Sequence, residues 1–93
     1  MNTNQIPQGW KSTEQGIQKK WKADDFKSLW PFMEAIAQMA EQRQHHPDWC
    51  NSYNRLTVHL CSHDAGGKIT QKDTDMAAAI DALAVGFSVV VET

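Results

Sequence analysis

The sequence contains few cysteines and no long apolar run. Its 93 residues include only two cysteines, Cys50 and Cys61, which lack the Cys-x-x-Cys spacing of a metal site. We expect two reduced thiols, with Cys50 in a loop and Cys61 in a strand. No segment approaches the roughly 18 apolar residues that a membrane span needs, so we expect no membrane association. Residues 1–9 are too polar for a secretory signal, and together these absences indicate a cytoplasmic protein.

The sequence also has no excess of basic residues. Lys and Arg number 9 against 11 Asp and Glu, which gives a net charge of -2. Because binding to a phosphate backbone requires clustered positive charge, we expect no direct nucleic-acid binding. A hydrophobic content of 41% is typical of a globular chain. The length predicts a single domain over residues 1–93, with residues 1–8 frayed, and a core this small is often supplemented by oligomerisation.

The first half of the sequence predicts a β-hairpin followed by a long helix. Residues 10–13 and 16–22 flank a turn and favour two paired strands. The acidic pair at 24–25 supplies N-cap chemistry for the helix. We expect a bend at Pro31 and an end before Pro47, because proline removes a helical hydrogen bond and restricts the residue before it. The apolar residues of this helix recur every three or four positions: Phe26, Leu29, Trp30, Met33, Ile36, Ala37 and Ala40.

The second half predicts one clear strand and a second helix. Residues 48–52 are expected to form a polar loop. Apolar and polar residues then alternate over 53–63, which predicts a strand with one dry face. A turn leads to a short pairing strand, or to a lead into the next helix, at residues 68–69. Thr70 and Asp73 resemble a capping box at the start of that helix.

The end of the chain completes the predicted fold. Gly86 stands where a left-handed C-terminal cap would fit. The apolar segment 87–91 is expected to pack on the domain or against a partner subunit. The predicted order is β-β-α-β-β-α, an α+β domain in which a four-stranded antiparallel sheet carries two main helices on one face.

Three of the four histidines stand where they could share one cleft. His45 follows Glu41 by four residues, so we expect the Glu41 carboxylate to hold one ring nitrogen of His45. His46 precedes Pro47, which gives it a more extended backbone and points its side chain elsewhere. His63 ends the predicted strand and faces away from its apolar side. If the helix end and the sheet edge converge, the three imidazoles surround one pocket.

Such a cleft suits acid–base chemistry. Imidazole titrates near pH ~6.5, so one histidine can donate a proton while another accepts one, as the addition or removal of water requires. Zinc is the alternative, but adjacent histidines diverge and the sequence has no helical pair of histidines four residues apart. Ser52 and Ser62 lack a nucleophile-elbow context. His59 is expected to be solvated or structural. Trp10, Trp21 and Trp30 are expected in the core, whereas Trp49 could stack on a flat ring.

A set of fixed spacings resembles a known signature. The residues that carry the resemblance are Glu41, His45, His46, Pro47, Tyr53, His63 and Asp73. They are similar to the signature of the pterin-4a-carbinolamine dehydratase family, and the similarity extends over roughly residues 9–85. The resemblance implies a fold of two helices and a small antiparallel sheet. It also implies dehydration of 4a-hydroxytetrahydropterin to the quinonoid dihydropterin, in the recycling of tetrahydrobiopterin, without a metal or an organic cofactor.

The resemblance assigns roles to particular residues. The catalytic set it implies is His45, His46 and His63. The supporting or substrate-binding residues we expect are Glu41, Gln44, Pro47, Trp49, Ser62 and Asp64. Gln44 replaces an acidic residue that well-known members carry. Our hypothesis is that His46 and His63 flank the 4a-hydroxyl and the ring N–H, with His45 relaying through Glu41. Which histidine is the acid and which is the base stays open.

The resemblance also implies partners. Family members form dimers by joining sheets edge to edge, and often tetramers through helices, so we expect a homodimer or homotetramer. A functional link to an aromatic amino-acid hydroxylase is expected. The alternative is a non-catalytic protein on the same fold, either a dimerisation cofactor of a homeodomain transcription factor or a Rubisco assembly factor. Those roles do not require the histidines, so the presence of all three favours the enzyme.

Overall fold

The sheet and two helices are arranged as an α+β domain. The computed structural model describes residues 6–14, 16–62 and 69–92. Its elements in chain order are β1 Lys11–Thr13, β2 Gly16–Lys22, α1 Phe26–Arg43, β3 Asp48–Ser52, β4 Arg55–Leu60, α2 Gln71–Ala84 and β5 Val90–Val91. The predicted hairpin, both predicted helices and the alternating strand are therefore confirmed.

The strands pair antiparallel in the order β1-β2-β4-β3. β4 pairs with β2 along its length, from Ile17 opposite Leu60 to Lys22 opposite Arg55. β1 and β5 both pair with the other edge of β2. β1 pairs near the start of β2, and β5 pairs near its end, at Trp21. The apolar tail therefore packs on the domain itself, and with this pairing the described part of the chain forms a five-stranded sheet.

The core lies between one face of the sheet and the two helices. β4 alternates as predicted, because Leu56, Val58 and Leu60 are buried while the residues between them are more exposed. The fully buried residues that meet them are Ile17, Trp21, Leu29, Phe32, Ile36, Met76, Ala77 and Ile80. Trp10 and Trp21 are buried as expected and contact each other edge to face at 5.6 Å. The prediction that Trp30 lies in the core is wrong, because its side chain is 47% exposed.

The prediction of a polar loop at residues 48–52 is wrong. Residues 48–52 form strand β3, not a loop, and Cys50 therefore lies in a strand. All five residues of β3 are exposed, so this edge strand has no alternation of polar and apolar residues for the sequence to reveal. Of the short strand or lead into α2 predicted at residues 68–69, Lys68 lies outside the described residues, and Ile69 belongs to no strand and directly precedes Thr70, the N-cap of α2. Cys61 follows the last residue of β4 and is buried.

The helix starts agree with their predicted caps. Asp25 accepts a hydrogen bond from the Ser28 backbone N–H at 2.8 Å, and hydrogen bonds from Ser28 lower the pKa of Asp25. Thr70 and Asp73 form the predicted capping box of α2. Pro31 lies inside α1.

The predicted left-handed cap at Gly86 is wrong. The chain leaves α2 through Val85 in a right-handed conformation, and the Gly86 N–H donates to the Leu83 carbonyl at 3.0 Å. Gly86 has no positive φ.

The N-terminal segment is described only from residue 6. Residues 1–5 lie outside the described residues, but Ile6 packs against the core and the Pro7 carbonyl accepts a hydrogen bond from the Trp10 N–H. The part of the predicted frayed segment that the structure describes thus contacts the fold. Among the described residues, neither helix is long and apolar enough to cross a membrane.

Candidate active site

The C-terminal end of α1 redirects the chain just before the histidine pair. Gln44 adopts a left-handed conformation with φ 53°. The Gln44 N–H donates to the Glu41 carbonyl at 3.3 Å, and the His45 N–H donates to the Ala40 carbonyl at 3.1 Å. These two bonds are those of a Schellman motif, which satisfies the last helical carbonyls and turns the backbone away from the helix axis. His45 is therefore no longer in helical phase with Glu41.

His45 instead reaches the first turn of α2. Its Nε2 lies 2.6 Å from Asp73 Oδ1, and in this hydrogen bond we assign the N–H to His45 and the accepting oxygen to the carboxylate. The Asp73 side chain is fully buried, and that of His45 is 14% exposed. A short hydrogen bond to a buried carboxylate fixes the tautomer of His45 and leaves Nδ1 as the nitrogen available to a ligand.

The buried Asp73 carboxylate is held by three elements. Its Oδ2 accepts hydrogen bonds from Ser62 Oγ and from the Thr70 backbone N–H, both at 2.8 Å. Ser62 Oγ also lies 2.8 Å from Thr70 Oγ1. Burying a carboxylate is costly unless it is hydrogen-bonded, and here both oxygens have partners. The network joins the segment that follows β4, the start of α2 and, through His45, the segment that follows α1.

His46 has a carboxylate of its own. Its Nε2–H donates to Glu41 Oε1 at 3.0 Å, and both side chains are largely exposed to solvent. The hydrogen bond from His46 and its positive charge lower the pKa of Glu41, so this carboxyl is ionised at neutral pH. Each of the two adjacent imidazoles is thus hydrogen-bonded through Nε2 to a different acidic residue.

The predicted pairing of Glu41 with His45 is wrong. The four-residue spacing applies only while the helix continues, but α1 ends at Arg43 and Gln44 is left-handed. The partners are exchanged, so Glu41 binds His46 and Asp73 binds His45. Asp73 was not predicted as a site residue, although it belongs to the signature. The reason is that capping the start of α2 already explains an aspartate at this position.

The remaining predicted site residues lie at different depths. Gln44 is exposed, and its Nε2 donates to the Glu41 carbonyl at 2.7 Å. Pro47 is half-buried at the turn between His46 and β3. Trp49 is 37% exposed on β3 and lies opposite Val58. Ser62 is only 1% exposed, so it supports Asp73 and does not line an open surface. His63 and Asp64 lie outside the described residues.

The other nucleophilic and imidazole side chains nearby have separate roles. Burial, together with the negative charges of Asp48 and Asp73, raises the pKa of the Cys61 thiol, which disfavours it as a nucleophile. His59 is half-buried, and its Nε2 lies 3.0 Å from Thr13 Oγ1. The expectation that His59 is structural or solvated agrees with this contact.

Comparison with known proteins matches this chain to one family. The family model described as pterin 4 alpha carbinolamine dehydratase matches residues 1–83. A protein of Solibacter usitatus (strain Ellin6076), named "Putative pterin-4-alpha-carbinolamine dehydratase", is 47% identical over 77 residues, which cover 83% of this chain and 80% of the relative. A protein of the same name from Synechococcus sp. (strain WH7803) is 38% identical over 81 residues, covering 87% of this chain and 85% of the relative.

A solved structure shares the fold. The crystal structure of a transcriptional coactivator/pterin dehydratase from Brucella melitensis superposes with a TM-score of 0.77 at 35% sequence identity, covering 83% of each chain. Its likeness confirms the α+β fold. The matched family model, the two relatives and this structure together show that the chain belongs to the pterin 4 alpha carbinolamine dehydratase family.

Proposed function

We propose that this protein dehydrates a 4a-hydroxytetrahydropterin to the quinonoid dihydropterin by histidine acid–base catalysis. The observation that carries the proposal is the arrangement of His45 and His46, adjacent imidazoles that are hydrogen-bonded to two separate carboxylates. Family membership supplies the pterin as the class of substrate. The further expectations, a cytoplasmic homo-oligomer that serves an aromatic amino-acid hydroxylase, remain part of this proposal.

The reaction needs two proton transfers. The C4a–O bond breaks, and because hydroxide is a poor leaving group, an acid protonates the oxygen so that water departs. The ring N–H loses its proton to a base, and the electrons of that bond form the C=N double bond of the product. Each transfer that a positioned side chain assists contributes roughly 10²–10⁴-fold to the rate.

The two site histidines that the structure describes, His45 and His46, are suited to different parts of this task. His46 is exposed beside Glu41, so its ring is accessible to a substrate. His45 is more buried, and Asp73 fixes its orientation. The relay we propose therefore runs from His45 to Asp73 in place of Glu41. His63 is proposed as the third member on the family resemblance, with Gln44, Pro47, Trp49 and Asp64 as neighbours of the substrate.

The test is an assay of the purified protein with synthetic 4a-hydroxytetrahydropterin. Loss of the carbinolamine absorbance would be followed in the wild type and in the single variants His45→Ala, His46→Ala and His63→Ala. We expect a loss of about 10²-fold or more in kcat for at least two of the three. The control is Gln42→Ala on the exposed surface of α1. Wild-type rates in all three histidine variants, or no activity above the spontaneous reaction in the wild type, would refute the proposal.

A protein-binding role is the second candidate. It is favoured by the 35% identical solved structure, whose protein is described as a transcriptional coactivator as well as a pterin dehydratase. Binding of this kind does not need proton transfer. A binding protein would therefore keep its partner when His46 is replaced by alanine, while the enzyme would lose activity.

A further inference from the structure

Three side chains of the types that bind metal ions lie close together at one end of the sheet. They are separate from His45 and His46 and the carboxylates that bind them. Asp48 on β3 lies directly opposite His59 on β4, so their side chains lie on the same face. Cys61 follows His59 by two residues and continues that face. One carboxylate oxygen, one ring nitrogen and the sulfur all lie within 4.8 Å of one another.

We propose that Asp48, His59 and Cys61 form a binding site for a divalent transition-metal ion of the zinc class. Carboxylate oxygen, imidazole nitrogen and thiolate sulfur are the three donor types that zinc takes in proteins. A mixed set of this kind excludes magnesium and calcium as preferred occupants, because those ions favour oxygen donors alone.

The spacing of the three donors is close to what coordination needs. Bond lengths of about 2.0–2.3 Å in a tetrahedral site place ligand atoms about 3.4 Å apart. The atoms lie within 4.8 Å of one another, so each pair needs to approach by at most about 1.4 Å. Asp48 is exposed at the sheet edge, so rotation of its carboxylate can supply that movement without disturbing the core.

Charge also favours a cation at this position. The Asp48 carboxylate lies within 4.8 Å of the Cys61 sulfur. A thiolate, a carboxylate and a neutral imidazole together carry a charge of -2, which a divalent ion neutralises. Metal binding would displace the thiol proton, as it does in other thiolate sites.

His59 already has the outer contact that metal-bound histidines make. Its Nε2 bonds to Thr13 Oγ1, so we assign Nδ1 to the metal and Nε2–H to the threonine. A surface depression lined by Thr13, Glu14, Gln18 and His59 borders the ring.

This site is independent of the proposed dehydration. His45 is hydrogen-bonded to Asp73 and His46 to Glu41. None of these four residues belongs to the group Asp48, His59 and Cys61. A result at the metal site therefore neither supports nor refutes the dehydratase.

Cobalt(II) is the probe that tests the proposal, because a cobalt–thiolate bond absorbs in the near ultraviolet. The reduced, chelator-treated full chain would be titrated with CoCl₂, and zinc would then be added as a competitor. We expect a charge-transfer band that saturates at one cobalt per chain and disappears when zinc displaces the cobalt. A chain that gives no such band with excess cobalt would overturn the proposal.

Single variants identify the ligands. Cys61→Ser is expected to abolish the band, and Asp48→Asn and His59→Gln to weaken cobalt binding about 100-fold or more, since loss of even an outer-shell partner costs 10–100-fold. The matched control is Cys50→Ser, which removes the exposed thiol of β3 and should leave the band unchanged. Asp48 is exposed, so Asp48→Asn remains informative if the buried Cys61 variant fails to fold. A band that survives Cys61→Ser, or one that Asp48→Asn and His59→Gln leave unweakened, would refute the assignment.

Discussion

His45 and Asp73 are 28 residues apart in sequence, and a 2.6 Å hydrogen bond joins them. The bond connects the chain just beyond α1 to the first turn of α2. Since Asp73 also binds Ser62 and the Thr70 N–H, the same carboxylate caps a helix and orients an imidazole. The position of His45 therefore depends on the packing of elements that are distant in sequence.

Replacing Asp73 with asparagine should reduce both activity and stability. An amide presents a donor on one side, so either His45 or the Ser62 and Thr70 groups lose their acceptor. We expect the free energy of unfolding to fall by about 1–3 kcal/mol, the cost of an unsatisfied buried group. With the orientation of His45 lost, kcat should fall by about 10²-fold. Urea unfolding and the carbinolamine assay measure the two effects.

The matched control for that variant is Asp75→Asn. Asp75 lies near Asp73 at the start of α2 but is exposed, and its carboxylate accepts a hydrogen bond from the Gln71 side chain. Its replacement should leave kcat unchanged. Equal losses in the two variants would mean that Asp73 has no special role in positioning His45.

Replacing Gln44 with glycine should stabilise the fold. A side chain in the left-handed region costs of order 1–3 kcal/mol, which exceeds the extra entropy that glycine loses on folding. We expect the free energy of unfolding to rise by up to about 1 kcal/mol. Arg43→Gly is the control, because Arg43 is the last residue of α1, and glycine there should destabilise by about 1 kcal/mol. A rise in KM without a change in kcat would place the Gln44 side chain against the substrate.

The periodic elements could be predicted from the sequence. The apolar stripe of α1, the alternation in β4 and the capping residues Asp25 and Thr70 are local patterns, and each corresponds to an observed element. Strand β3 could not be predicted because the exposed edge of a sheet imposes no pattern on its residues. Its pairing with β4 is set by tertiary structure.

The site could be predicted in composition but not in pairing. The signature identified Glu41, His45 and His46, yet the assignment of partners depends on a single backbone conformation at Gln44. Glutamine does not indicate a left-handed residue as glycine would. The sequence therefore favoured a contact between Glu41 and His45 on one face of the helix. In the structure His45 contacts Asp73 of α2 instead.

The ion pair between Glu41 and His46 should make stability depend on acidic pH. The pKa of Glu41 is lower in the folded chain than its ordinary value, so its contribution to stability is present above the unfolded pKa of about 4.3 and is lost as the pH falls through the lower folded value. Urea unfolding between pH 2 and 6 should show the wild type and Glu41→Gln converging at the acid end. Because both side chains are exposed, 1 M salt should reduce the difference. A difference that grows as the pH falls would contradict the assignment.

Gly16 should be far less tolerant of substitution than Gly86. Gly16 has a φ of +153°, and a Cβ built on it would lie 2.1 Å from the Leu60 carbonyl oxygen and 3.0 Å from Cys61 Cβ. Both atoms belong to the β2–β4 pairing and its continuation, so relief would require separating the strands, and we expect Gly16→Ala to lose about 3 kcal/mol or more. A Cβ at Gly86 would meet only the Leu83 carbonyl oxygen at 3.7 Å, so Gly86→Ala should be neutral or stabilise by up to about 1 kcal/mol. Urea unfolding of both variants tests the contrast, and equal midpoints would show that β2 does not approach β4 as closely as described.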